Sequence, residues 1–179
     1  AAGAQTYYFD DVTFIGGGGL PAGAFSDLTF DSTGVVYTLT GFGGAEDASL
    51  QPDPTSATNT VVRINRSTTA ETFAGTVVST GPSLTVGTVP FSTTNTRMSV
   101  RVYSPAAGIP VRLKVEDAAD PTRSVETETQ TTKANAWETL TFDFANQVPG
   151  TAALNLSYKY NRLIIFFDFG TTGAAAGAQ

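Results

Sequence analysis

Residues 98–116 read MSVRVYSPAAGIPVRLKVE, and their alternation decides the fold class. Met98, Val100 and Val102 alternate with Ser99, Arg101 and Tyr103. Beyond a break containing Pro and Gly, Val111, Leu113 and Val115 alternate with Arg112, Lys114 and Glu116. A period of two belongs to a strand with one face on a core and the other in solvent. The pattern returns downstream. Val125, Thr127 and Thr129 oppose Glu126, Glu128 and Gln130, and Leu140, Phe142 and Phe144 alternate with Thr139, Thr141 and Asp143.

Outward from this stretch, residues 6–14, 26–31, 35–41, 60–65, 71–78 and 162–169 read as strands by β-branched and aromatic content. The last holds Leu163, Ile164, Ile165, Phe166 and Phe167 without a break, as expected of a central strand covered on both faces. No twelve-residue window keeps a helical period, because Pro and Gly break every candidate. About ten short strands with Gly, Pro and Asp turns predict an all-β chain, a jelly-roll β-sandwich. Residues 117–122 (DAADPT) predict a hairpin loop that brings Arg112 and Lys114 to Glu126 and Glu128 for cross-strand ion pairing.

Composition narrows the function. The chain has 179 residues, enough for one domain with a core, and 41% apolar against 15% charged residues argues against disorder. The net charge is −6 and the basic residues are scattered, so no nucleic-acid footprint is expected. No apolar run reaches membrane-spanning length. Cys and His are both absent, which removes disulfides, thiol chemistry, the usual proton shuttle and the commonest transition-metal ligand. The Thr-, Gly- and Ala-rich character suggests an extracellular or cell-surface setting. There is neither an initiator Met nor a signal-peptide pattern, so a processed or excised chain is expected.

The chain opens on Ala1-Ala2-Gly3-Ala4-Gln5 and closes on the same five residues, Ala175-Ala176-Gly177-Ala178-Gln179. Self-similarity at about one domain length is the mark of an array. Residues 16–23, GGGGLPAG, read as a linker, flexible first and stiffer at Pro21. The expected organisation is a displaced closing or donor strand at 1–14, a Gly-rich linker at 15–24 and a sandwich at 25–179. Tyr7, Tyr8, Phe9, Val12 and Phe14 form the donor strand, with Tyr8, Asp10, Val12 and Phe14 on the inward face. The linker is long enough for two outcomes. The strand enters a neighbouring copy beside that copy's 162–169 strand, or it folds back into its own domain as a circular permutation.

Three stretches carry a resemblance: LTFDSTGVVYTLTGFGG from Leu28, continuing through PDPTSATNTVVRINRS to AETFAGTVV; MSVRVYSPAAGIPVRLKVED with AWETLTFDF; and RLIIFFDFG from Arg162. Together they resemble bacterial carbohydrate-binding modules of the jelly-roll, galactose-binding-like type. In that family YYFDDVTF, here residues 7–14, looks like the closing strand that should follow IIFFDFG. The resemblance implies a non-catalytic sugar binder from a secreted polysaccharide-degrading enzyme or surface adhesin. It also implies a structural calcium between closing and first strands, here Asp10 or Asp11 with Asp31. Where the family often has Trp, this chain has Phe73; Trp137 precedes a core strand and reads as a packing residue. Tyr37, Tyr103, Tyr158 and Tyr160 remain as candidate sugar platforms.

The remaining chemistry is sparse. Glu46-Asp47 reads as two solvated loop acids rather than a catalytic pair facing across a cleft. The four glycines do not stand between a strand and a helix, so they are no phosphate loop. Asn65-Arg66-Ser67 and Asn155-Leu156-Ser157 match the N-glycosylation pattern. The expected function is a non-catalytic extracellular structural subunit of a filament or tandem-repeat fibre, with other copies of itself as partners. The alternative is a polysaccharide-binding module.

Overall fold

A computed structural model describes residues 4–16 and 20–176. Gly17–19 of the linker and parts of both pentapeptides (1–3 and 177–179) lie outside the described residues. Ten strands follow in chain order: β1 (Gln5–Ile15), β2 (Thr38–Phe42), β3 (Asp47–Asp53), β4 (Ser56–Arg66), β5 (Gly75–Ser79), β6 (Arg97–Ser104), β7 (Pro110–Asp117), β8 (Asp120–Gln130), β9 (Ala136–Asp143) and β10 (Arg162–Phe167). They form two five-stranded antiparallel sheets, ordered β3-β4-β1-β6-β9 and β2-β5-β10-β7-β8. The chain is an all-β sandwich.

The alternation read from the sequence sets the core. Met98, Val100 and Val102 of β6 and Leu140 and Phe142 of β9 face Val111, Leu113 and Val115 of β7 and Leu163, Ile165 and Phe167 of β10, all buried in one cluster. β10 is the middle strand of its sheet, as its unbroken apolar run predicts. Its other face, Ile164 and Phe166, is buried in a second cluster with Val77, flanked by Phe42, Leu84 and Phe169. The β7–β8 hairpin sets Arg112 opposite Glu128 and Lys114 opposite Glu126. Arg112 reaches both Glu126 and Glu128 at 3.0 Å.

β1 is the middle strand of the first sheet, between β4 and β6 of its own chain. It lies in the sheet opposite β10 rather than beside it. Tyr7 stacks on Phe167 across the core at 4.8 Å between ring centroids. The inward face also differs from the expected one. Pairing with β6 breaks between Asp10 and Thr13, where Asp11 takes a positive φ of 46°. That β-bulge inserts an extra residue and shifts the phase of alternation. Tyr7 and Phe9 point inward before the bulge, Val12 and Phe14 after it, and Tyr8 and Asp10 face outward.

Other departures have local causes. Residues 26–31 form no strand: Leu28 makes one bridge to Val12, while Phe25, Leu28 and Phe30 pack into the core. The turn at Gly34, φ 83°, delays β2 to Thr38. β3 lacks an apolar alternation and contains Pro52, which an edge strand tolerates because one side of its ladder is open.

The C-terminal segment is tied to the loop after β4. Gly170 N donates to Thr72 O at 2.8 Å and Gly173 N to Ala70 O at 2.7 Å. Arg66, 2% exposed, donates through Nη2 to the carbonyls of Glu71 and Thr171, with Asp168 3.7 Å from Nη1. Burial and the neighbouring Asp168 push the Tyr7 hydroxyl pKa up. Gln5, Tyr7, Ala175 and Ala176 line one small cavity of about 70 Å³.

Candidate functional site

The bulge in β1 puts Tyr8 on the outer face of the first sheet. The register then aligns a row across it. Arg63 of β4 lies opposite Tyr8, Tyr8 opposite Tyr103 of β6, and Tyr103 opposite Trp137 of β9. Ring centroids are 5.9 Å apart for Tyr8–Tyr103 and 5.6 Å for Tyr103–Trp137, both edge-to-face. All three rings are half-buried. Trp137 is therefore not a core residue. In β9 Leu140 and Phe142 turn inward, which leaves Trp137, Thr139 and Thr141 on the outer face.

Beside this row sits a buried ionic network. Arg101 donates from Nη1 to Asp10 Oδ2 at 3.0 Å and from Nη2 to Asp53 Oδ2 at 3.3 Å, and its guanidinium covers the Trp137 ring at 3.9 Å. Asn59 Nδ2 donates to Asp10 at 2.9 Å and to Asp53 at 3.2 Å. Asp53 Oδ1 accepts from Thr55 N, Thr55 Oγ1 and Trp137 Nε1 at 2.6, 2.7 and 3.0 Å. Asp10 and Asp53 are 1% and 4% exposed, so both carboxylates are spent on internal partners.

The two acids respond oppositely. Burial pushes the Asp10 pKa up, and the hydrogen bonds from Asn59 and Asp11 N only partly offset it. Burial also pushes Asp53 up, but the hydrogen bonds from Thr55, Trp137 and Asn59 outweigh it and hold that carboxyl well below the usual range. A split of this kind can mark an acid–base pair. Here both acids share Arg101 and Asn59 and neither faces an open cleft, so the arrangement suits bracing better than proton transfer.

Of the candidate calcium acids, Asp10 and Asp31 accept from adjacent residues of β4, Asn59 and Thr60. Asp10 already holds the Arg101 cation, Asp11 is exposed, and Asp31 accepts from Thr60 N at 2.9 Å on the surface. Among the described residues no group of three His, Cys, Asp or Glu is gathered to hold a metal. Of the candidate platforms, Tyr103 lies in the row. Tyr160 is 1% exposed, with its hydroxyl accepting from Asn155 N, and offers no ring face to solvent. Tyr158 is exposed on a loop near Arg123. Tyr37 packs on Phe30 and lines a cavity of about 530 Å³ with Asp27, Val35 and Val36.

Asp47 opens β3 and pairs with Arg63, while Glu46 accepts from Gly44 N. Asn65, next to the end of β4, is engaged by Thr6 and Asp47. Asn155 lies exposed in a turn closed by Ser157. Phe73 is 51% exposed, away from the aromatic row.

Tyr8 was anticipated only as an inward-facing residue of the donor strand, and Arg101, Asp53 and Asn59 were not anticipated as site residues. The outward parity of Ser99, Arg101 and Tyr103 was legible, and so was the need of an acid within β1 for a counter-charge. The partner of that acid was not. No family model, curated protein or solved structure matches the chain.

Proposed function

We propose that the chain is a non-catalytic extracellular carbohydrate-binding sandwich that takes polysaccharide on the outer face of its first sheet. One observation carries the reading: three aromatic rings, Tyr8, Tyr103 and Trp137, lie in register on three neighbouring strands, outside the core. Sugar rings present an apolar C–H face and a rim of hydroxyls. A row of half-exposed rings supports the first. Arg63, 33% exposed at the row's end, and the hydroxyls of Thr55 and Thr139 supply polar contacts for the second. The resemblance to jelly-roll sugar-binding modules supports the same reading.

Calorimetry or affinity electrophoresis against soluble β-glucans and xylans tests it. Binding is expected, lost in Tyr103→Ala and kept in Tyr37→Ala, which alters the separate 530 Å³ cavity. No binding to any polysaccharide tried, or binding that survives Tyr103→Ala and fails in Tyr37→Ala, overturns it.

A further inference from the structure

We propose that the cavity of about 530 Å³ beside Tyr37 is a second binding site, and that its ligand is an amino sugar held through its ammonium group. The proposal does not rest on the reading of the aromatic row.

The cavity lies between two loops. Residues 23–37 lead from β1 to β2, and residues 80–87 follow β5. Its volume falls within the range of about 300–1,000 Å³ common to small-molecule sites. The two loops are fixed to each other. Phe25 N donates to Thr88 O at 2.8 Å and Thr88 N to Gly23 O at 3.0 Å. Gly87 packs so closely on Ala24 that a Cβ there would meet the Ala24 carbonyl. The Tyr37 side is fixed as well. Phe30 takes a positive φ of 58°, an uncommon state for a bulky residue, with its ring against both Phe9 and Tyr37. Strain of this kind persists where the surroundings over-determine it, here behind the ring that lines the cavity.

Three observations name the ligand. First, Asp27 is the one charged side chain among the lining residues. Its Oδ1 accepts from Phe14 N at 3.3 Å, which leaves Oδ2 for a donor on the ligand. No Lys or Arg lines the cavity, so an anion would meet an uncompensated negative charge, while an ammonium gains a charge-assisted hydrogen bond. The net charge of −6 draws cations in the same sense. Second, Val35 and Val36 are 41% and 77% exposed, whereas every other valine of the described residues is buried or half-buried. With the Tyr37 ring they give the cavity an apolar side. Third, Ser26 and Thr80 add neutral hydroxyls. A hexosamine has the matching parts: an ammonium, an apolar C–H face and a rim of hydroxyls. A neutral sugar lacks the first and a simple alkylamine the last.

The site is separate from the aromatic row. Asp27 holds the amide of Phe14, six residues along β1 from Tyr8, which sets it roughly 15–20 Å away.

Titration of the unaltered chain with the β-1,4-linked glucosamine dimer, followed by amide NMR, tests the site, with cellobiose as the neutral counterpart. Saturable shifts at Gly34 and Thr80 are expected, with cellobiose about tenfold weaker there. Asp27→Asn keeps an acceptor for Phe14 N and removes the charge, and should weaken the amine by a similar factor. Val36→Arg sets a cation on the exposed rim and should do the same. Glu46→Gln removes an exposed acid elsewhere and should change nothing. No saturable shift at Gly34 and Thr80, or cellobiose binding there as tightly as the amine, overturns the proposal. So does binding that survives both Asp27→Asn and Val36→Arg. An equal loss in Glu46→Gln would mark diffuse attraction to an acidic chain, and shifts at Tyr103 in place of Gly34 and Thr80 would put the amine on the row; either result also overturns it.

Discussion

Asp53 and Trp137 belong to the two edge strands of a five-stranded sheet, yet the Trp137 indole donates to the Asp53 carboxylate at 3.0 Å. At about 4.8 Å per strand the edges of a flat sheet would stand roughly 19 Å apart. The end of the β3–β4 hairpin must therefore leave the sheet and lie across its outer face. Pairing of β4 with β1 ends at Phe9–Val62, just before the bulge, which frees the hairpin to do so. The hairpin forms a wall beside the aromatic row.

Asp53→Ala should release that wall. It removes a buried acceptor from Thr55, Trp137, Asn59 and Arg101, with an expected cost of about 1–3 kcal/mol. Urea unfolding measures the loss. Trp137 is the single tryptophan, so its emission should shift to the red in the folded variant. An unchanged midpoint and spectrum would show that the hairpin is held by something else.

Acid should act on the two carboxylates with opposite signs. The folded pKa of Asp53 is depressed, so its stabilisation is complete above the unfolded value, about 3.9, and is lost as pH falls below it. The folded pKa of Asp10 is raised, so the folded state gains relative stability as pH falls through that raised value. Urea midpoints of the unaltered chain and Asp10→Asn across pH 7 to 4 check this. The variant should lack the relative gain on acidification, and both should lose stability below about pH 4. Parallel curves throughout would refute the assignment.

Arg66 should be the most costly single charge to remove. It is buried and binds two backbone carbonyls that join the loop after β4 to the C-terminal segment. Arg66→Ala leaves Asp168 buried without its cation, at an expected cost of about 3–5 kcal/mol. Arg66→Lys should not restore it, because an ammonium lacks the planar fork that spans both carbonyls. Denaturant unfolding and proteolysis of residues beyond Asp168 are the measurements.

Chelation should leave the melting temperature unchanged. The cation beside Asp10 is the Arg101 guanidinium, and Asp31 is bonded to a strand amide. A melting temperature that falls in chelator and recovers with added calcium would show that these acids hold a metal.

Most of the sandwich was legible because period-two alternation in β6, β7 and β9 and the apolar run in β10 are driven by burial, which composition reports directly. β3 was not, since an edge strand with Pro52 buries little and leaves no pattern. The inward face of β1 was misread for a different reason. A bulge depends on one residue adopting positive φ, and Asp11 tolerates it without announcing it. The site suffered from the same bulge. Tyr8 joins Tyr103 and Trp137 only through the register that the bulge sets, and Asp53 reaches Trp137 only because the hairpin leaves its sheet. Both are relations between segments far apart in the chain, and no local window contains them.

The position of β1 also orders events during synthesis. β6 begins about 90 residues after β1, so at ordinary translation rates β1 waits roughly 5–20 s for its second neighbour. β3 and β4 emerge earlier, so a three-stranded sheet can form first with β1 at its rim. In that interval the open side of the strand is the one that will carry Tyr8 to Tyr103. The length of that interval is set by the rate of translation between residues 66 and 97 as much as by any contact in the finished sandwich.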